Sequence, residues 1–290
     1  MGRITNQGIL AGCDEIVDNF FGVAEEGRPC RYGTKKTCRN LKGPKRDAAQ
    51  LLDELYTQIE TNWAGRRREK PPANKNWHWK DRSKYAASRI TKPCDEVRLE
   101  RDIVRSMGGA NAGWVNAVPT SSGMTDSNHD KLRNIDLVHS PDQEKEFTFF
   151  ELKTKANTPL YAAIEILYRG ILNVFTRLRL EEMKRGGYVC ADKRERMLRG
   201  AKIQLCVLAP CYYYQAFGVN LSWLGDWLNQ GLRAWLGSLR AKAPPVHCVP
   251  EMDFVFKAFP PYFSVPKANG EAIRGAMGDL HLAYKPTCAD

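Results

Sequence analysis

Glu151 and Lys153 stand two residues apart in FTFFELKTK, at the end of a run of phenylalanines. Side chains alternate along an extended strand, so the pair shares one face while Phe150 and Leu152 point to the other. Two upstream aspartates could meet them, Asp136 in RNIDLV and Asp142 in SPDQEKE. If the two segments form a hairpin turning near Gln143 and Glu144, the numbers of cross-strand partners sum to about 287, which places Asp136 opposite Glu151 with Cβ atoms roughly 4.5–5.5 Å apart. Asp142 then falls in the turn, where Ser, Pro and Asp are ordinary residues. Two carboxylates that close repel each other unless something positive joins them. A hard divalent cation such as Mg²⁺, which binds through one or two carboxylates plus phosphate, is the natural occupant. A salt-bridge ladder between Glu151 and Lys153, with Asp136 nearby, uses the same three residues without a metal.

The elements that must hold these residues are legible around them. PCDEVRLERDIVRSM predicts a helix from near Pro93 that stops before Gly108 and Gly109. At 100° per residue, Val97, Leu99, Ile103, Val104 and Met107 form its apolar face, and Arg98, Arg101 and Arg105 lie opposite. Glu96 and Glu100 fall inside the apolar sector, where a carboxylate is costly unless paired or bound to metal. Glu100 lies deeper in the helix and is the stronger candidate. Glu96 lies in the first turn, where the helix dipole favours an acid.

A strand is expected near Trp114–Val118, then the hairpin arms near Ile135–His139 and Phe147–Lys155. Asn157, Thr158 and Pro159 supply an N-cap and a first-turn proline for a long helix to about Lys184. KIQLCVLAP reads as a buried strand, NLSWLGDWLNQGLRAWLGSLR as a helix and MDFVFKAF as an alternating strand. The order helix, three strands, helix, strand, helix, strand implies an α/β domain with a mixed sheet. Residues 93–290 form that domain in this reading. Residues 1–92 are a mainly helical and loop accessory region, with one helix from Lys45 to about Asn62.

The chain has 290 residues, and 44 Lys and Arg against 33 Asp and Glu give a net charge of +11. That excess is concentrated. Arg66 to Lys92 holds ten basic residues against Glu69 and Asp81, a local +8. Arg66, Arg67, Arg68, Lys75 and Lys80 with Trp77 and Trp79 are candidates for holding nucleic acid, the cations through phosphate and the indoles through stacking. A solvated connector pinned by its tryptophans is the plain alternative. Lys155, on the face of Lys153, could touch a neighbouring phosphate. No apolar run reaches the ~18 residues that span a bilayer, and the N-terminus lacks the pattern of a secretory signal. The nine cysteines form no C-x-x-C pair and read as reduced thiols of a cytoplasmic protein. The five histidines show no metal-pair spacing. Trp223, Trp227 and Trp235 read as core.

A helical glutamate, an aspartate on the second strand and Glu-x-Lys on the third resemble the PD-(D/E)xK nuclease superfamily, the restriction-endonuclease-like fold. The resemblance spans about residues 93–260. The runs VRLERDIV, WVNAVPTSSG, RNIDLV and ELK are also similar to stretches in bacterial members. One departure is that Asp136 follows Ile135 where the family pattern has proline, while Pro141 precedes the turn aspartate Asp142.

The resemblance implies one or two Mg²⁺ (or Mn²⁺) ions held by Asp136 and Glu151, with Glu100 a further ligand or a water-mediated one and the Leu152 carbonyl completing the shell. It implies that Lys153 positions or activates the attacking water and offsets charge on phosphorus. A helper on the following helix is implied at Glu165 or Tyr168, although a Glu165–Arg169 pair at i, i+4 also explains the acid. The expected activity is phosphodiester hydrolysis, most plausibly of DNA by an endonuclease in defence, repair or mobile-element processing. A homodimer would supply two sites for two strands. The alternative is a catalytically inactive nucleic-acid-binding or regulatory protein that keeps the fold.

Overall fold

The computed structural model describes residues 8–41, 46–65, 72–83, 94–125, 127–142, 144–189, 192–217, 221–242, 249–265 and 269–284. In chain order the main elements are α1 (Cys13–Phe20), α2 (Lys35–Arg39), α3 (Ala48–Ala64), α4 (Asp95–Ser106), β1 (Trp114–Pro119), β2 (Asn134–His139), β3 (Glu146–Leu152) and α5 (Pro159–Leu178). They continue as α6 (Leu180–Arg185), α7 (Asp192–Arg199), β4 (Lys202–Pro210), α8 (Cys211–Gln215), α9 (Leu221–Lys242), β5 (Glu251–Phe259), α10 (Gly270–Gly278) and β6 (His281–Leu282). Each element expected from residue 93 onward is present, except that the long helix expected to reach about Lys184 is divided into α5 and α6 at Arg179. The short β6 and the helices α7, α8 and α10 were not foreseen.

The strands form one mixed sheet in the order β1-β2-β3-β4-β5-β6. β1, β2 and β3 make an antiparallel meander, β3, β4 and β5 run parallel, and β6 returns antiparallel on β5. Two successive crossovers of one hand, both stepping the same way across a sheet, must lay their helices on the same face. Accordingly α5 and α9 share one apolar cluster with Val138, Phe149, Leu205 and Phe256. The opposite face is left to α4 and α10, which pack on Leu137, Phe150, Cys206 and Leu208.

α5 carries the expected cap. Thr158 Oγ1 accepts from the Tyr161 amide at 3.1 Å, and Pro159 occupies the first turn. The helix is buried along most of its length, as its nearly unbroken apolar sequence requires. Gly170 lets it lie against β4, since a Cβ there would stand 2.8 Å from Leu205 Cδ1.

The N-terminal elements are part of the same core. Leu51, Leu55 and Ile59 of α3, with Ile9, Cys13 and Val17 before it, are buried in the cluster that contains Phe175 and Trp235. Hydrophobic packing therefore runs unbroken across the boundary expected near residue 92. Among the described residues no helix is long and apolar enough to cross a membrane.

Candidate active site

The hairpin pairs Leu137 with Phe150, Val138 with Phe149 and His139 with Thr148. One further step of that register sets Asp136 opposite Glu151, as the sequence implied. Asp136 Oδ2 accepts from the Leu152 amide at 2.8 Å, which fixes the carboxylate against the end of β3. Lys153 continues the ladder to β4, its amide donating to Leu208 O at 3.0 Å. Its ammonium turns back to Glu151 Oε1 at 2.7 Å and to Glu165 Oε2 at 2.8 Å.

From the other side α4 brings Glu100, only 8% exposed. Its Oε1 accepts from Asn116 Nδ2 at 2.7 Å. Asn116, on β1, also accepts from the Arg82 amide at 2.9 Å. The next residue, Ala117, has φ +48°, a left-handed backbone that non-glycine residues rarely adopt. Asn116 and Val118 pair with β2 on either side of it, so the ladder is interrupted opposite Asp136. The Ala117 carbonyl instead accepts from the Arg82 guanidinium.

Apart from the buried Lys153, these groups line a cavity of about 550 Å³. Glu100, Asp136, Glu151 and Glu165 supply its acids, and Arg82, Arg101 and Arg169 its cations. The electrostatics follow from crowding. Burial, and then the charge of Asp136, push Glu100 up to about 8, against the opposing Asn116 hydrogen bond. Burial pushes Asp136 up to about 6, although Lys153 and the Leu152 amide pull the other way. Glu151 is raised well above the carboxylate range by burial and by Asp136. Burial alone would lower Lys153, but Glu151, Glu165 and Asp136 outweigh it and hold the ammonium charged. Burial alone would raise Glu165, which Lys153 and Arg169 hold below its ordinary range. One ammonium thus serves three acids, in contact with Glu151 and Glu165 and within the field of Asp136.

The remaining candidates divide. Glu165 joins the site by contact with Lys153, while Arg169, whose Nε donates to the Asn134 carbonyl at 3.0 Å, adds a weaker favourable charge. Glu96 is more than a first-turn charge, because it accepts from the Thr154 amide at 3.0 Å and ties α4 to the end of β3. Tyr168 is no helper at the site. It is buried, and its hydroxyl donates to Asp14 at 3.1 Å. Lys155 is exposed and pairs with Asp95 at 3.2 Å. Leu152 makes its observed contact through its amide. Asp142 belongs to the turn, taking the Glu144 and Lys145 amides at 3.1 and 3.0 Å, and these donors hold it down at about 2.

The aromatic part of the basic segment requires a correction. Trp77 is fully buried, stacks on Phe149 and donates to Thr176 Oγ1 at 3.2 Å, and Trp79 packs edge-on against Phe147. Indoles used up in the core have no face left for a base. Lys75 and Lys80 are exposed, and Arg66, Arg67 and Arg68 lie outside the described residues. What the segment delivers to the site is Arg82.

Sequence reasoning missed Asn116, Ala117, Arg82 and Arg169. A polar residue in the apolar run WVNAVP and a charge in the apolar run ILYRGILNVF were signals for Asn116 and Arg169. Nothing local marks Ala117 or Arg82.

Among the described residues no three His, Cys, Asp or Glu side chains are grouped so as to hold a metal ion. The fit to Mg²⁺ or Mn²⁺ is one of donor chemistry. Asp136 and Glu151 are adjacent oxygen donors in a cavity where like charges are forced together, and Mg²⁺ takes only one or two carboxylates, filling its shell with water and phosphate. No protein-family model, curated protein or solved structure matched the chain.

Proposed function

We propose that the protein is a metal-dependent nuclease of the restriction-endonuclease-like class, hydrolysing phosphodiester bonds, most plausibly in DNA. The observation that carries the reading is the convergence of Asp136, Glu151 and Lys153 at one end of a hairpin, with Glu100 across the same cavity. The meander, crossover helix, strand, crossover helix and strand support the comparison of folds.

In this reading Asp136 and Glu151 hold Mg²⁺ or Mn²⁺, and Glu100 joins them through water. A bound metal supplies a lowered water pKa and stabilisation of the attacking and leaving oxygens. Lys153 stays an ammonium, so its part is to orient and to stabilise negative charge on the phosphate, not to accept a proton. Glu165 holds Lys153 in place, and Asn116 holds Glu100.

A second reading has one observation in its favour. Lys153 already meets two acids, as a salt-bridge network without catalysis would have it. Incubation of supercoiled plasmid with Mn²⁺ separates the two. Wild type should nick or linearise the plasmid, while Asp136→Asn and Lys153→Met, melting as wild type does, should leave it intact. Intact DNA and RNA with every version of the protein would remove the nuclease reading.

A further inference from the structure

The α5 wall of the cavity holds a cation with an idle donor. Arg169 is 5% exposed, and its Nε is satisfied by the Asn134 carbonyl, but its Nη1 has no hydrogen-bond partner. A guanidinium N–H shielded from water and left without an acceptor costs free energy. Glu165 and Glu151 lie within the field of Arg169, which pulls the pKa of each down, but neither gives Nη1 a hydrogen bond. Glu165, one turn earlier on α5, is committed to Lys153. Arg133 stands close enough that its pKa is lowered by burial and then by the like charge of Arg169, and its own Nε also lacks a partner. The two guanidiniums, Arg169 buried and Arg133 half-buried, repel each other, and each keeps a shielded donor that an anion could take up. Across the cavity Arg101 of α4 lines the opposite wall.

We propose that Arg169, with Arg101 facing it, forms an anion seat that takes a phosphate of the nucleic-acid strand beside the reacting phosphodiester. The identity of the ligand rests on the nuclease reading above, whereas the need for an anion rests only on the arginines. The guanidinium plane presents paired N–H donors that match two oxygens of a phosphate, which a lysine could not do. Glu100, Asp136 and Glu151 line the same cavity, and Arg169 extends into it from α5 one turn after Glu165. The seat fixes where the strand lies, and so Arg169 is a positioning residue.

The test is calorimetric titration in chelator, so that cleavage plays no part, with inorganic pyrophosphate and, separately, a short oligothymidylate. Wild type should bind both. Arg169→Gln should weaken both by about tenfold or more, the effect of one charge-assisted hydrogen bond. Arg169→Lys should recover part of the loss, and Arg101→Gln, on the half-exposed helix α4, should give a smaller loss even if Arg169→Gln proves too unstable to assay. Unchanged affinity in both glutamine variants, or no binding by wild type, overturns the seat. Arginine-dependent binding of pyrophosphate without the oligonucleotide overturns its assignment to a strand. Binding of both ligands by a protein that never cleaves in metal leaves the seat standing and removes the nuclease reading instead.

Discussion

Asp130 and Asp136 are six residues apart, and both are drawn into the interior, yet they do opposite things. Asp130 is fully buried and fully answered. It accepts from the Ile9 amide at 2.9 Å, the Thr125 amide at 2.8 Å and the Thr125 hydroxyl at 2.6 Å. Three donors from two segments make it a staple that fastens the N-terminal region to the loop before β2. Asp136 accepts one hydrogen bond, from Leu152, and faces three more acids across a cavity. Buried acids that serve stability are surrounded by donors. Acids kept close to one another with one donor apiece cost stability and invite a cation.

The sharpest way to break that comparison is to neutralise each acid in turn. Asp136→Asn should lower plasmid cleavage by about 10²–10³-fold, the usual effect of losing one charge-stabilising group in an active site, while melting no lower than wild type. Asp130→Ala should leave three donors without an acceptor and cost roughly 3 kcal/mol or more in urea unfolding, with cleavage per folded molecule unchanged. If Asp136→Asn unfolds the protein and Asp130→Ala does not, the roles are reversed and the comparison is wrong.

Metal should act on one acid and not on the other. Adding Mn²⁺ at a hundredfold excess over its dissociation constant should stabilise wild type by about 2.7 kcal/mol, seen as a rise in melting temperature. Asp136→Asn should lose most of that rise and Asp130→Asn should keep it. A wild-type melting curve indifferent to both Mg²⁺ and Mn²⁺ would leave the salt-bridge network as the better account.

Legibility in the sequence followed the range of the interactions. The elements from α4 to β5 were readable because apolar period, caps and breakers are local. So was the register of Asp136 and Glu151, because a short turn fixes it. The two crossings of α5 and α4 with the sheet were not. Glu165 was named, but its partner was given as Arg169, one helical turn away, when the stronger field comes from Lys153 on another element. Trp77 and Trp79 looked like a stacking surface because charge surrounds them in the sequence. They are core because Phe147 and Phe149 lie beneath them. The N-terminal region read as accessory for the same reason: its apolar partners on α5 and α9 lie over a hundred residues away, and no local pattern names them.

Glu165 offers a finer test of who holds Lys153. Glu165→Gln removes one of the two acids in contact with the ammonium and leaves Glu151 its sole close partner. Cleavage should fall by about tenfold, in keeping with the misplacement of one group and not its loss, and Glu165→Asp should recover part of it. A fall as deep as that of Lys153→Met would mean that Glu165 acts on the reacting atoms directly.

The last effect is a slope. Glu100 has its ordinary value of 4.5 in the unfolded chain and about 8 in the folded one, raised by burial and by Asp136. Between those values the native state binds the proton that the unfolded chain has released, so stability must fall as pH rises. Asp136, raised from 3.8 to about 6, adds to the fall over the lower part of the window. Glu165, whose value is depressed, contributes in the opposite sense, but only as pH drops below its ordinary 4.5. His139 is lowered from 6.5 by burial and by Lys257, and it works against the slope near that value. The difference between wild type and Glu100→Gln cancels what the other groups share. Urea unfolding at pH 5, 6, 7 and 8 should therefore show wild type losing stability toward pH 8 and Glu100→Gln losing visibly less. A variant that loses more, or a wild type that gains, would take the crowding out of the site.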